Sequence, residues 1–155
     1  MKIVVRFLFS LVALVTVLGS CSKDNYNAEE QAKKDDALIV DFIAKNNIQA
    51  TKHSSGLYYQ IITPGTGASV TASSNVGVNY VGKFLDGTQF EKSEAIVPLN
   101  LSQVIQGWTI GVPLIKVGGR IRLIIPSGLA YGNNAQGPIA KNTVLDFTID
   151  LINAQ

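Results

Sequence analysis

Hydrophobic and polar positions follow three different rhythms along the chain. From Phe7 to Leu18 the run is apolar except for Ser10 and Thr16. It is about 12 residues long, short of the roughly 20 that cross a bilayer as a helix. From Ala28 to Ala37 helix formers dominate, and Leu38, Ile39, Phe42 and Ile43 then fall at i, i+1, i+4 and i+5. That spacing predicts one amphipathic helix over residues 28–47, stopped at Asn46-Asn47. Beyond Gly56 the period becomes two, and short runs are separated by turn residues. Strands are predicted at Leu57–Ile62, Val76–Phe84, Thr88–Glu91, Val97–Leu101, Arg120–Ile125 and Val144–Ile152, with a hairpin at Asp86-Gly87. In the last strand Val144, Asp146, Thr148 and Asp150 alternate with Leu145, Phe147, Ile149 and Leu151. One face should therefore be wet and the other dry, over a single core. Val104, Ile105, Trp108 and Val112 have helical spacing, which predicts a short helix within Gln103–Leu114 on the dry face.

These elements make an α+β fold: an antiparallel sheet of about five strands wrapped around one short helix, preceded by an N-terminal helix. The organisation expected is a leader over 1–20, a tether over 21–27, the helix over 28–47 and a globular domain over 48–155. The single stripe on the N-terminal helix leaves two uses open. It packs on the domain, or it pairs two chains into a homodimer; a coiled coil would need several heptads.

Composition narrows the chemistry. The chain has 155 residues, 46% hydrophobic and 15% charged, with 14 glycines. That is too apolar for disorder and too rich in glycine for a helical bundle. One Cys and one His leave no disulfide framework and no standard zinc site. Lys and Arg number 13 against 11 Asp and Glu, and Lys2 and Arg6 account for the excess. The neutral remainder has no basic face for nucleic acid.

Lys2 and Arg6 ahead of the apolar run are the n-region and h-region of an export signal. Leu18-Gly19-Ser20-Cys21 resembles a bacterial lipobox. The resemblance implies cleavage before Cys21 and a diacylglycerol on its thiol, and Cys21 is the only cysteine. Ser22 resembles the pattern for outer-membrane sorting. The expected address is the outer membrane of a Gram-negative envelope, on its periplasmic or surface face, held there by lipid.

Hydrolytic chemistry is poorly supplied. His53 sits in a polar loop away from any nucleophile, Glu91 and Glu94 are three residues apart near a turn, and Gly118-Gly119-Arg120 lacks the Lys-Ser/Thr of a phosphate loop. What remains is aromatic: Tyr80, Phe90, Trp108, Tyr131 and Phe147. Singly each reads as core. Together they suggest an apolar cleft with a few phenol and amide donors.

Six motifs then occur in order: Val78-Asn79-Tyr80-Val81-Gly82, Asp86-Gly87-Thr88-Gln89-Phe90-Glu91, Val104-Ile105-Gln106-Gly107-Trp108, Gly118-Gly119-Arg120, Ala130-Tyr131-Gly132 and Leu145-Asp146-Phe147. Over about Gly56 to Ile152 the sequence resembles the FKBP-type peptidyl-prolyl cis-trans isomerases. The resemblance implies a pocket for a prolyl residue, with Trp108 as its floor. Tyr80, Phe90 and Phe147 would form aromatic walls, and Val97, Val104 and Ile139 aliphatic ones. The Ile105 N–H and the Tyr131 hydroxyl would bond substrate carbonyls. It also implies proline-containing extracytoplasmic polypeptides as substrates, macrolides as ligands, and no cofactor. Two departures stand out. Glu91 replaces the usual Asp, one methylene longer, beside Tyr80. The loop 133–141 lacks the prolines common there, which frees its backbone. An active isomerase is the first expectation, and a holdase using the same cleft is the alternative.

Overall fold

In this computed structural model, residues 26–154 are described; the leader and Cys21 lie outside them. Helix α1 spans Ala28–Lys45. The Asn27 carboxamide accepts from the N–H groups of Glu29 and Glu30, and Asn46 caps the other end, so both ends have side-chain partners for orphan backbone groups. Asn47 turns the chain with φ 52°. The strands are β1 (Thr51–Lys52), β2 (Tyr58–Thr63), β3 (Asn75–Lys83), β4 (Gln89–Lys92), β5 (Val97–Asn100), β6 (Arg120–Ile125) and β7 (Leu145–Ala154), with helix α2 at Gln106–Gly111. Among the described residues no helix is long and apolar enough to cross a membrane.

The strands form one antiparallel sheet in the order β1-β2-β6-β7-β3-β4, and β5 joins the same edge of β3 further along. There are seven strands rather than about five. Two-residue β1 forms in a segment expected to be a loop, where the His53 N–H bonds the Leu57 carbonyl at 2.8 Å. At Asp86-Gly87, where the hairpin is expected, the Asp86 carboxylate takes the Thr88 N–H at 2.8 Å and Gly87 has φ 88°.

The helix predicted within Gln103–Leu114 is shorter than its apolar spacing suggests. Val104 is extended, and 3₁₀ turns flank α2 at Leu101–Gln103 and Val112–Leu114. Helix α2 lies very close to β6. A Cβ at Gly107 would sit 2.5 Å from Ile125, and one at Gly111 2.5 Å from Leu123. Two glycines four apart make one smooth face that lets the helix reach the sheet.

The sheet has two cores rather than one. Its concave face buries Leu57, Val78, Trp108, Ile121, Leu123, Phe147, Ile149 and Leu151 with α2. The other face is covered by α1, where Ile39 packs with Ile48, Tyr58, Ile124 and Val144, flanked by Phe42 and Ile43. The expected wet face of β7 is therefore dry at its start: Val144 and Asp146 are buried. Asp146 is paired with Arg122 through two bonds of 2.8 and 2.7 Å, and the Arg122 guanidinium lies 5.6 Å from the Phe42 ring centroid. The buried stripe of α1 also differs from the expected one. Leu38 is 53% exposed, while Asp35 is fully buried.

Candidate active site

The concave face opens into a cleft of about 460 Å³ lined by Tyr80, Glu91, Val97, Leu99, Gln103, Val104, Ile105, Trp108, Tyr131 and Phe147. Each element delivers its share by simple geometry. In β5, alternation puts Val97 and Leu99 on one side of the strand. Val97 is fixed opposite Val78 in the register of β3 and β5. Ile105 is the N-cap of α2, so its own N–H lies ahead of the helical hydrogen-bond ladder. Trp108 projects from that helix at 5% exposure, and Phe147 from β7 at 4%. These two rings are the deepest surfaces of the cleft.

The rings are gathered edge to face. Trp108 lies 5.0 Å from Tyr80 at 80° and 5.2 Å from Phe147 at 88°. Such pairs contribute about 0.5–1.5 kcal/mol beyond the area they bury, and they fix the orientation of each ring. Phe90 and Ile139, expected as walls, are set back. Phe90 turns edge-on to Phe147 at 5.5 Å and packs on Phe84 at 4.9 Å. The position of Gly82 makes this possible, because a Cβ there would meet Phe90 and Phe147 at 2.7 Å. Ile139 is buried with the concave core and is not among the cleft-lining residues. Leu99 and Gln103 were not anticipated. The one-sided aliphatic pattern of Val97, Leu99 and Leu101 is the signal that marks Leu99; nothing in the local pattern marks Gln103.

Polar groups sit at the rim. The Tyr80 hydroxyl donates to Glu91 Oε1 at 2.7 Å, so the extra methylene of Glu91 still brings its carboxylate to the phenol. Burial, reinforced by that bond, pushes the Tyr80 phenol up to about 12. It stays a neutral donor at every physiological pH. Burial and the nearby Glu91 charge also raise the Tyr131 phenol. The Tyr131 hydroxyl has no hydrogen-bond partner among the described residues, and neither does the buried indole N–H of Trp108. An unsatisfied buried donor costs about 1–3 kcal/mol, and Trp108 carries that cost in the cleft; the other buried atom without a partner among the described residues, Asn142 Oδ1, does not line it.

The loop 133–141 is held despite its missing prolines. Gln136 and Ile139 exchange backbone bonds of 2.8 and 2.9 Å, and the Asn142 N–H bonds the Gly132 carbonyl at 2.7 Å. A larger groove, about 1180 Å³, lies on the outer side of the sheet near Arg120, Arg122, Asp146 and Asp150. Its two arginines are already paired with Asp150 and Asp146, and neither Trp108 nor Phe147 lines it.

Comparison with known proteins agrees with this geometry. The family described as FKBP-type peptidyl-prolyl cis-trans isomerase matches residues 67–152. The FKBP-type peptidyl-prolyl cis-trans isomerase FkpA of Aeromonas hydrophila is 40% identical over 136 residues, which are 84% of this chain and 49% of that protein. The outer membrane protein MIP of Legionella longbeachae is 38% identical over 84% of this chain and 57% of its own length. The chain thus spans about half the length of these relatives. Among solved structures, FkpA from Escherichia coli superposes with a TM-score of 0.72 at 34% identity, covering 82% of this chain and 62% of that one. The peptidyl-prolyl cis-trans isomerase of Pseudomonas syringae pv. tomato gives a TM-score of 0.69 at 32% identity, covering 84% of this chain and 98% of that one.

Proposed function

Because the chain belongs to the FKBP-type peptidyl-prolyl cis-trans isomerases, we propose that it isomerises X-Pro peptide bonds in the cleft around Trp108. The observation that carries this reading is the ring cluster of Trp108, Tyr80 and Phe147, which lines a dry hollow rimmed by hydrogen-bond donors.

The barrier to turning an X-Pro bond is about 18–20 kcal/mol, because twisting the amide removes its resonance. The planar amide is the more polar form and is the better solvated. A prolyl ring seated on Trp108 and Phe147 draws the preceding amide out of water, which narrows the gap between the planar and twisted forms. In this reading the Tyr131 hydroxyl and the Ile105 N–H, whose residues both line the cleft, bond substrate carbonyls. A donor aimed at the twisted carbonyl favours the transition state over the ground state. Tyr80, held by Glu91, and Phe147, backed by Phe90, keep the walls upright. The reaction makes and breaks no covalent bond, so the cleft needs no nucleophile.

The two sequence departures that favoured a holdase carry less weight once Glu91 is bonded to Tyr80 and the 133–141 loop is closed by its own backbone bonds. Substrates are extracytoplasmic chains that expose proline, and macrolides compete for the same cleft. The lipobox-like run ending at Cys21 supports an acylated envelope protein, and one relative is named an outer membrane protein. Labelled palmitate is expected to enter the wild-type chain and not Cys21→Ala.

The test of the activity is proline-limited refolding of a client. Wild type accelerates the slow phase, and Trp108→Ala, folded by circular dichroism, does not. Suppression of client aggregation without any acceleration would assign the cleft to a holdase instead.

A further inference from the structure

A single buried carboxylate ties helix α1 to the loop that carries Tyr131. Asp35 is fully buried, and no cation pairs with it among the described residues. A carboxylate withdrawn from water without a counter-charge needs several donors. Ser127 supplies two, its N–H at 2.7 Å and its hydroxyl at 2.6 Å, both to Asp35 Oδ2. Gln31 supplies a third, to Oδ1 at 2.7 Å.

Ser127 is 1% exposed and opens the 3₁₀ turn that follows β6. Its carbonyl accepts the N–H of Ala130 at 2.9 Å and that of Gly132 at 2.8 Å. Those are the two residues on either side of Tyr131. The Gly132 carbonyl in turn takes the Asn142 N–H at 2.7 Å. A continuous set of short bonds therefore runs from the middle of α1, through one serine, to the residues on either side of the pocket tyrosine, and reaches the 131–132 peptide unit directly.

We propose that Asp35 is a positioning residue for the cleft: by holding Ser127 it sets the backbone on both sides of Tyr131, and so the direction of the Tyr131 hydroxyl. This rests on the reading that Tyr131 donates to substrate. Helix α1, which lies on the opposite face of the sheet from the prolyl pocket, then acts on turnover as well as covering apolar surface.

The test is a double-mutant cycle on the full chain, read as kcat and KM for isomerisation of an X-Pro peptide. Tyr131→Phe alone is expected to lower kcat about tenfold, the value of one hydrogen bond made in the transition state. Asp35→Ala lowers kcat about fivefold with little change in KM, since a misdirected donor weakens only transition-state bonding. In the Tyr131→Phe background Asp35→Ala costs less than about twofold, because the group it positions is already gone. Asp35→Ala also shifts the Tyr131 ring resonances in NMR spectra. Where Asp35→Ala fails to fold, Ser127→Ala removes only the hydroxyl bond and runs the same cycle, with a smaller loss that again disappears beside Tyr131→Phe. Equal losses in both backgrounds, or unchanged kcat in folded Asp35→Ala, overturn the proposal. Unchanged kcat in Tyr131→Phe overturns the prior reading of Tyr131 instead.

Discussion

The two faces of the sheet each hold a tyrosine bonded to a carboxylate, and they use it differently. On the helix-covered face the Tyr58 hydroxyl donates to Asp36 of α1 at 2.8 Å, with Lys52 paired to the same oxygen. On the concave face the Tyr80 hydroxyl donates to Glu91 at 2.7 Å, at the mouth of the cleft that both residues line. Under α1 the neighbouring polar groups are also paired: Asp35 with Ser127, Arg122 with Asp146. In the cleft the buried Trp108 indole N–H is left without a partner. Beside α1 one buried acceptor, Asn142 Oδ1, is also unpaired, but it does not line the cleft. A ring-lined surface with a spare donor is arranged for something that arrives later.

Variants on the covered face should therefore cost mainly stability, Asp35 excepted, and variants in the cleft should cost activity. The largest effect is expected from Ile39→Ala, which empties a fully buried site and should cost about 3–4 kcal/mol in urea unfolding. Asp146→Ala strands Arg122 beneath α1 and should cost about 3 kcal/mol. Asp150→Ala is the control for that position. It breaks the same kind of two-bond pairing with Arg120, two residues away in β6 and four in β7, but beside a half-exposed arginine. Its cost should stay under about 1 kcal/mol. Equal losses at Asp146 and Asp150 would remove the distinction between covered and open parts of that face.

The smallest effect is a pH dependence. The Tyr80 phenol moves from 10.0 to about 12 in the folded chain, so the folded state holds its proton more tightly than the unfolded state. The stabilisation this gives is complete below pH 10 and is lost as pH rises from 10 to 12. Tyr58 and Tyr131 are raised in the same direction. Tyr80→Phe should therefore reduce, without abolishing, the decline in unfolding free energy across that window, and a decline of wild-type steepness in the variant would count against the bonded phenol.

The contrast between the faces also explains what the sequence made legible. The Asp86-Gly87 hairpin, the strands and the cap at Asn46 follow from local rules, because each is decided within a few residues. The concave side was legible through its rings, which occur in a recognisable order. The covered side was not. Asp35 and Asp146 carry charge, and charge at an alternating or helical position reads as solvent-facing until a partner from distant sequence is known. Asp35 meets Ser127 across 92 positions of chain, a distance no periodicity reports. Leu38 departs from its pattern for the matching reason. It sits in the apolar stripe, yet burying Asp35 and Ile39 turns it outward. Phe90 keeps its aromatic neighbours but stands behind Phe147, because glycine at position 82 leaves room for the two rings to close on each other.

The central claim is that the concave cleft turns prolyl bonds while the covered face only builds and aims it. Exchange NMR on an X-Pro peptide, with and without the chain, tests this most directly. The account predicts cross-peaks between cis and trans peptide signals with wild type and with Asp150→Ala, and none with folded Trp108→Ala. Exchange that persists undiminished in Trp108→Ala, or is absent with folded wild type, would contradict it.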